Sequence, residues 1–93
     1  MLSPSVRSAI DRLDPRGPGI RCNDLVRLLE ALGFVVRRGR KGNHRSVEHP
    51  DLPGFRGTNF DCGHGRDPQV RRVYIRSLRR VIETHAEALS ELA

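Results

Sequence analysis

Residues 24–50 read DLVRLLEALGFVVRRGRKGNHRSVEHP, and the spacing of apolar side chains changes along them from helical to alternating. Leu25, Leu28, Leu29 and Leu32 recur at i, i+3, i+4 and i+7, the stripe of an amphipathic helix, with Asn23 as its N-cap. Gly33 stands where such a helix ends in a left-handed residue. Phe34-Val35-Val36-Arg37-Arg38 then predicts a β-strand entered directly from the helix. Residues 39–43 form a loop, and residues 44–49 the returning strand of a hairpin. Side chains alternate across a strand, so Arg45, Val47 and His49 share one face and His44, Ser46 and Glu48 the other. With Val47 in the core, His44 points to the open face.

Working toward the N-terminus, DPRGPG at 14–19 is a rigid turn or linker. Before it, Ser3-Pro4 opens a short helix carrying Val6, Ala9, Ile10 and Leu13 at helical spacing. Toward the C-terminus, the Pro/Gly-rich residues 49–57 connect to a third strand at 58–62, with Phe60 and Cys62 inward. Asp67-Pro68 then reads as the start of a long last helix, an acceptor side chain followed by proline. Tyr74, Ile75, Leu78, Val81 and Ile82 lie on one arc of that helix, and Arg72, Arg76, Arg79 and Arg80 on the neighbouring one. The expected class is α+β: a three-stranded antiparallel sheet with two main helices on one face, its other face open, plus a short N-terminal helix. The expected organisation is a helical extension and linker at 1–20 and one domain at 21–93.

The chain has 93 residues and a net charge of +6, and Lys41 is its only lysine. Residues 37–80 hold twelve Arg or Lys against four acids, so the positive charge is concentrated in the middle of the chain. Guanidinium groups grip phosphate in a two-pronged way that ammonium cannot, which favours a nucleic-acid partner. With four aromatic residues in all, one Tyr and three Phe, the chain is no stacking platform for bases. No apolar run is long enough to span a membrane and no secretory leader is evident. Cys22 and Cys62 are accordingly expected as reduced thiols in a cytoplasmic protein, Cys62 as a small core residue.

The loop and the start of the second hairpin strand, RRGRKGNHRS at 37–46, place His44 among five cations and two glycines. A neutral imidazole can remove the proton of an RNA 2′-hydroxyl while that oxygen attacks the adjacent phosphorus, and cations stabilise the charge that builds on phosphate. DNA lacks this hydroxyl and would be spared. Arg38, Arg40, Lys41 and Arg45, with Gly42 and Asn43, are the candidate phosphate-binding residues around a catalytic His44. Glu48 or Asp61, on the same face by alternation, can orient the imidazole or protonate the leaving oxygen. The Arg72/76/79/80 stripe is either a solvated helix face or a second phosphate track. His64, in CGHG at 62–65, is either a second acid or base or part of a plain turn. His44, His49, Cys62 and His64 are the possible metal ligands, but no close ligand pair is present, so no metal or other cofactor is expected.

Residues 24–50 resemble the HicA family of toxin mRNA interferases. The family's helix ending in Gly-Phe or Gly-Trp is matched at Gly33-Phe34. Its Gly-Ser-His-(His/Arg) motif stands here as Gly42-Asn43-His44-Arg45, with Asn43 in place of the usual serine. The resemblance continues through a strand ending in His49-Pro50, a third strand, and PQVRRVYIRSLRRVIE at 68–83. It covers about residues 21–85 and implies an α-β-β-β-α fold like a double-stranded-RNA-binding domain, one essential histidine, His44, cleavage of mRNA, and neutralisation by a HicB-type antitoxin. Residues 1–20 lie outside the smallest family members. Two other functions fit the same residues: a non-catalytic RNA- or DNA-binding module, or a member of a protein pair whose nuclease activity the Asn43 change has removed.

Overall fold

The computed structural model describes residues 1–40 and 42–93. The element order is α1 (Pro4–Arg12), α2 (Cys22–Ala31), β1 (Val35–Arg38), β2 (His44–Glu48), β3 (Thr58–Asp61), α3 (Arg72–Thr84) and α4 (Ala86–Leu92). The three strands form one antiparallel meander in the order β1-β2-β3, so the chain has the expected α+β fold. Val36 pairs with Val47, and Val47 with Thr58, which sets the register. Val47 and Phe60 are fully buried beneath the helices, with Leu25, Leu29, Ile75, Leu78 and Ile82. Truncating a ring such as that of Phe60 in this core costs roughly 3–5 kcal/mol. The opposite face, carrying Val35, Arg37, Glu48 and Asn59, is exposed.

The step from α2 into β1 depends on Gly33. Its φ is +89°, the left-handed value expected there, and its N–H donates to the Glu30 carbonyl while Phe34 N–H donates to that of Leu29. A Cβ at Gly33 would stand 2.8 Å from His49 Nε2, so close approach excludes a side chain as well. His49 Nδ1 accepts from Asp51 N–H, which leaves Nε2 protonated to donate to the Leu32 carbonyl at 3.0 Å. The ring also meets Phe34 edge-on at 4.8 Å. His49 thus ties the end of α2 to the end of β2.

Three expectations need correction. α2 starts at Cys22, and Asn23 lies inside it rather than capping it. Asp67 does not open the last helix: its Oδ1 accepts the Asn23 N–H at 3.0 Å and so caps α2 from 44 residues away. The segment after it is extended, bridging Gln69 to Arg21, with Cys22 N–H on Pro68 O and Val70 N–H on Ile20 O; α3 begins only at Arg72. After α3 ends at Thr84, a separate α4 buries Ala86 and Leu89 in the core. Finally, Cys22 and Cys62 are joined in a disulfide, Cα–Cα 5.2 Å, where free thiols were expected. The extended segment carries the start of α2 against the end of β3, which is why two cysteines 40 residues apart meet.

Residues of α1 share this core. Val6, Ala9 and Leu13 are buried in the same cluster as Ile75, Leu78, Ile82 and Leu89. Ser3 Oγ accepts from Val6 N–H, the expected N-cap, and Ser3 N–H donates to Ser90 Oγ in α4 at 2.9 Å. Arg72 donates to the carbonyls of Pro15 and Gly17, pinning the 14–19 turn to the start of α3. One member of the arginine stripe is therefore engaged in holding the fold.

Candidate functional site

His44 is the first residue of β2 and pairs across the sheet with Asp61, the last of β3. Both side chains are on the open face, 45% and 46% exposed. His44 Nδ1 lies 3.2 Å from Asp61 Oδ1, and Tyr74 OH, from the first turn of α3, donates to Asp61 Oδ2 at 3.0 Å. The His44 bond and then the Tyr74 bond hold the Asp61 carboxyl below its ordinary value, with Arg71 adding to the effect. Tyr74 is pushed up in turn, first by its bond to Asp61 and then by burial, with Arg71 opposing. An ionised carboxylate only accepts, so His44 Nδ1 carries a proton, and in the neutral ring the lone pair falls on Nε2. Among the described residues Nε2 has no protein partner.

The ring is fixed from below as well. Gly39 N–H donates to the His44 carbonyl at 2.8 Å, and a Cβ on Gly39 would lie 3.0 Å from His44 Cδ2 and 3.2 Å from its Cβ. The imidazole therefore packs over a bare glycine backbone. An open cavity of about 390 Å³, lined by Arg40, Asn43, His44 and Asp61, lies in front of it.

The hairpin divides the expected phosphate-binding residues between two sides. Arg40 and Asn43 line the His44 cavity. Arg38 and Arg45 pair with each other across β1 and β2 and, with Gly42, line a separate cleft that also reaches Asn43. Lys41 lies outside the described residues. Of the two acids considered as partners of His44, the register delivers Asp61; Glu48 lies four residues along β2, about 13 Å away. Tyr74 was read as core and Arg71 was not singled out. Both reach the site because the start of α3 lies by the end of β3, which alternation within one strand does not reveal.

The possible metal ligands do not form one set: Cys62 and His64 line one cleft, whereas His44 lines another cavity and His49 neither. His49 is bonded to Leu32 and Asp51, Cys62 to Cys22, and His64 lines the separate cleft. Among the described residues no three His, Cys, Asp or Glu are grouped to hold a metal ion, and no helix is long and apolar enough to cross a membrane.

An open three-stranded antiparallel sheet that carries a carboxylate-bonded imidazole, with Arg40 on the wall of the same cavity, defines a small α+β protein. The family model described as the HicA toxin of bacterial toxin–antitoxin systems matches residues 22–83, two-thirds of the chain, and the chain belongs to that family. No curated protein and no solved structure gives a significant match.

Proposed function

We propose that this toxin is an endoribonuclease that cuts mRNA in the cytoplasm by attack of a 2′-hydroxyl on the adjacent phosphorus. His44 Nε2 takes the 2′-hydroxyl proton as O2′ bonds to phosphorus. The P–O5′ bond breaks, leaving a 2′,3′-cyclic phosphate, and O5′ leaves with a proton returned by the imidazolium. Asp61 holds the imidazole in the competent tautomer and stabilises the imidazolium; Tyr74 steadies Asp61. Arg40 and Asn43 face the phosphate, whose charge grows as the phosphorane forms, with Lys41, Arg38, Gly42 and Arg45 binding the chain around it. No metal is required, and a HicB-type antitoxin silences the toxin by covering this basic face.

The observation that carries this reading is the His44 Nδ1–Asp61 Oδ1 contact of 3.2 Å, made at a cavity that both residues line together with Arg40 and Asn43. The test is incubation of the purified protein with end-labelled RNA in EDTA. Wild type yields fragments ending in a cyclic phosphate, and His44→Ala yields none while still binding an uncleavable 2′-O-methyl oligonucleotide. Cleavage undiminished in His44→Ala refutes the mechanism. RNA bound in a salt-dependent way but left intact by wild type would make the protein a non-catalytic binding module of the same fold.

A further inference from the structure

A second cavity, of about 320 Å³, opens on the other side of the hairpin tip, between β1–β2 and the loop that follows β3. Arg38, Arg45 and Arg66 line it together with His64, and the Cys22–Cys62 disulfide lies in its wall. Arg38 and Arg45 stand directly opposite each other across the strands. Like charges so paired destabilise a sheet unless something compensates them. Arg45 is nevertheless anchored there, its guanidinium donating to the carbonyls of Gly42 and His44. Burial, and then the field of Arg38, push the Arg45 guanidinium down from its ordinary value. Among the described residues none of the three arginines has a carboxylate within 4 Å: the ion pairs are elsewhere, and the Asp67 carboxylate is engaged with α2. A concave cluster of guanidinium groups without carboxylate partners, one of them anchored, is a site for a phosphate oxyanion.

Asn43 lines both this cleft and the His44 cavity. Asn43 thus joins the two, and beside it Gly42 has nothing within 4 Å of the place a Cβ would occupy. A chain leaving the His44 cavity can therefore pass over Asn43 and Gly42 into the arginine cleft. We propose that the Arg38–Arg45–Arg66 cleft is a second phosphate subsite, which takes a flanking phosphate of single-stranded RNA bent over the hairpin tip. The proposal rests on the reading of the protein as an RNA-cleaving toxin and names its substrate as unpaired RNA. A stiff duplex cannot turn around a two-stranded hairpin from one face to the other. The scarcity of aromatic residues agrees with a grip on the backbone instead of the bases.

The test uses the His44→Ala protein, so that binding is read without scission, with a fluorescent oligoribonucleotide either single-stranded or fully paired. Arg66 is exposed on its loop, and Arg66→Gln is compared with Arg7→Gln, which makes the same charge change on α1, away from both cavities. Arg66→Gln is expected to weaken single-strand binding about tenfold. It should also lower the slope of log affinity against log salt by about 0.7, the loss of one phosphate contact, beyond any change in Arg7→Gln. Arg38→Gln should do the same, and unchanged melting curves show that both variants are folded. Equal behaviour of Arg66→Gln and Arg7→Gln overturns the subsite, as does a duplex bound as tightly as the single strand. Neither outcome touches the nuclease reading. Conversely, wild-type protein that leaves RNA intact while Arg66→Gln weakens its binding defeats the nuclease reading and supports the cleft.

Discussion

His44 and Asp61 face each other as a cross-strand pair, with Nδ1 and Oδ1 3.2 Å apart at the ends of β2 and β3. The pairing register brings the proposed base and its orienting carboxylate together, and Tyr74 holds the second carboxylate oxygen from outside the sheet. Replacing Asp61 with Asn keeps the size and removes the obligatory acceptor. It should lower kcat on the order of 10²-fold with little change in KM, because the wrong tautomer becomes available. The Asp61 carboxyl is held below the ordinary value, so its contribution to stability is present above that value and is lost as pH falls through the depressed one. A melting curve followed against pH should show this acid limb in wild type and lack it in Asp61→Asn. Equal kcat in the two proteins would remove Asp61 from the mechanism.

Tyr74 is the single tyrosine of a chain without tryptophan, so its ultraviolet absorbance reports one group. Its hydroxyl is pushed up by the bond to Asp61. Its phenolate should therefore appear at higher pH than that of free tyrosine, and return toward the ordinary value in Asp61→Asn. Tyr74→Phe should lower kcat a few-fold, leave KM nearly unchanged, and move the acid limb of Asp61 upward. A tyrosine titration identical in wild type and Asp61→Asn would show that the contact does not form.

Gly39 and Gly42 lie in the same loop and should respond differently to alanine. The φ of Gly39 is outside the left-handed region, but its Cβ would press on the imidazole of His44. Gly39→Ala should displace the ring and reduce kcat, with stability changed by no more than about 1 kcal/mol. Gly42 has φ +75° and open space around it. Gly42→Ala should cost roughly 1–2 kcal/mol of backbone strain, read as a lower melting temperature. Full activity in Gly39→Ala would mean that the packing of the ring over this glycine does not matter.

The Cys22–Cys62 crosslink closes a 40-residue separation, and its loss should destabilise the fold by roughly 4 kcal/mol on the chain-entropy model. Denaturant midpoints with and without reductant, and for Cys22→Ser combined with Cys62→Ser, measure this directly. Wild type should weaken on reduction and the double variant should not respond. A midpoint indifferent to reductant would argue that the two thiols stay apart in solution.

Much of the fold was readable in the chain because its signals are local. The Leu25/Leu28/Leu29/Leu32 stripe, the left-handed Gly33 and the alternation around Val47 each depend on neighbours within a few residues. Asp67 misled for the complementary reason. An aspartate before a proline has the chemistry of a helix cap, and it does cap a helix. The helix is α2, because residues 67–70 are held extended against residues 20–22 by backbone bonds that leave no local mark. The cations near His44 form one cluster when read along the chain, but alternation already puts Arg45 on the face opposite His44, and the register sets Arg38 beside it.

The sequence by itself determined the order α1-α2-β1-β2-β3-α3, the buried face of each of these, and the exposure of His44, since a side chain's face follows from its own element's period. Only the tertiary structure decided what meets that imidazole. Asp61 across the sheet, Tyr74 from α3, the Cys22–Cys62 bond and the Asp67 cap of α2 all join residues far apart in the chain. Their meeting is set by strand register and by how the segment after β3 docks on the start of α2, and periodicity carries no information about either.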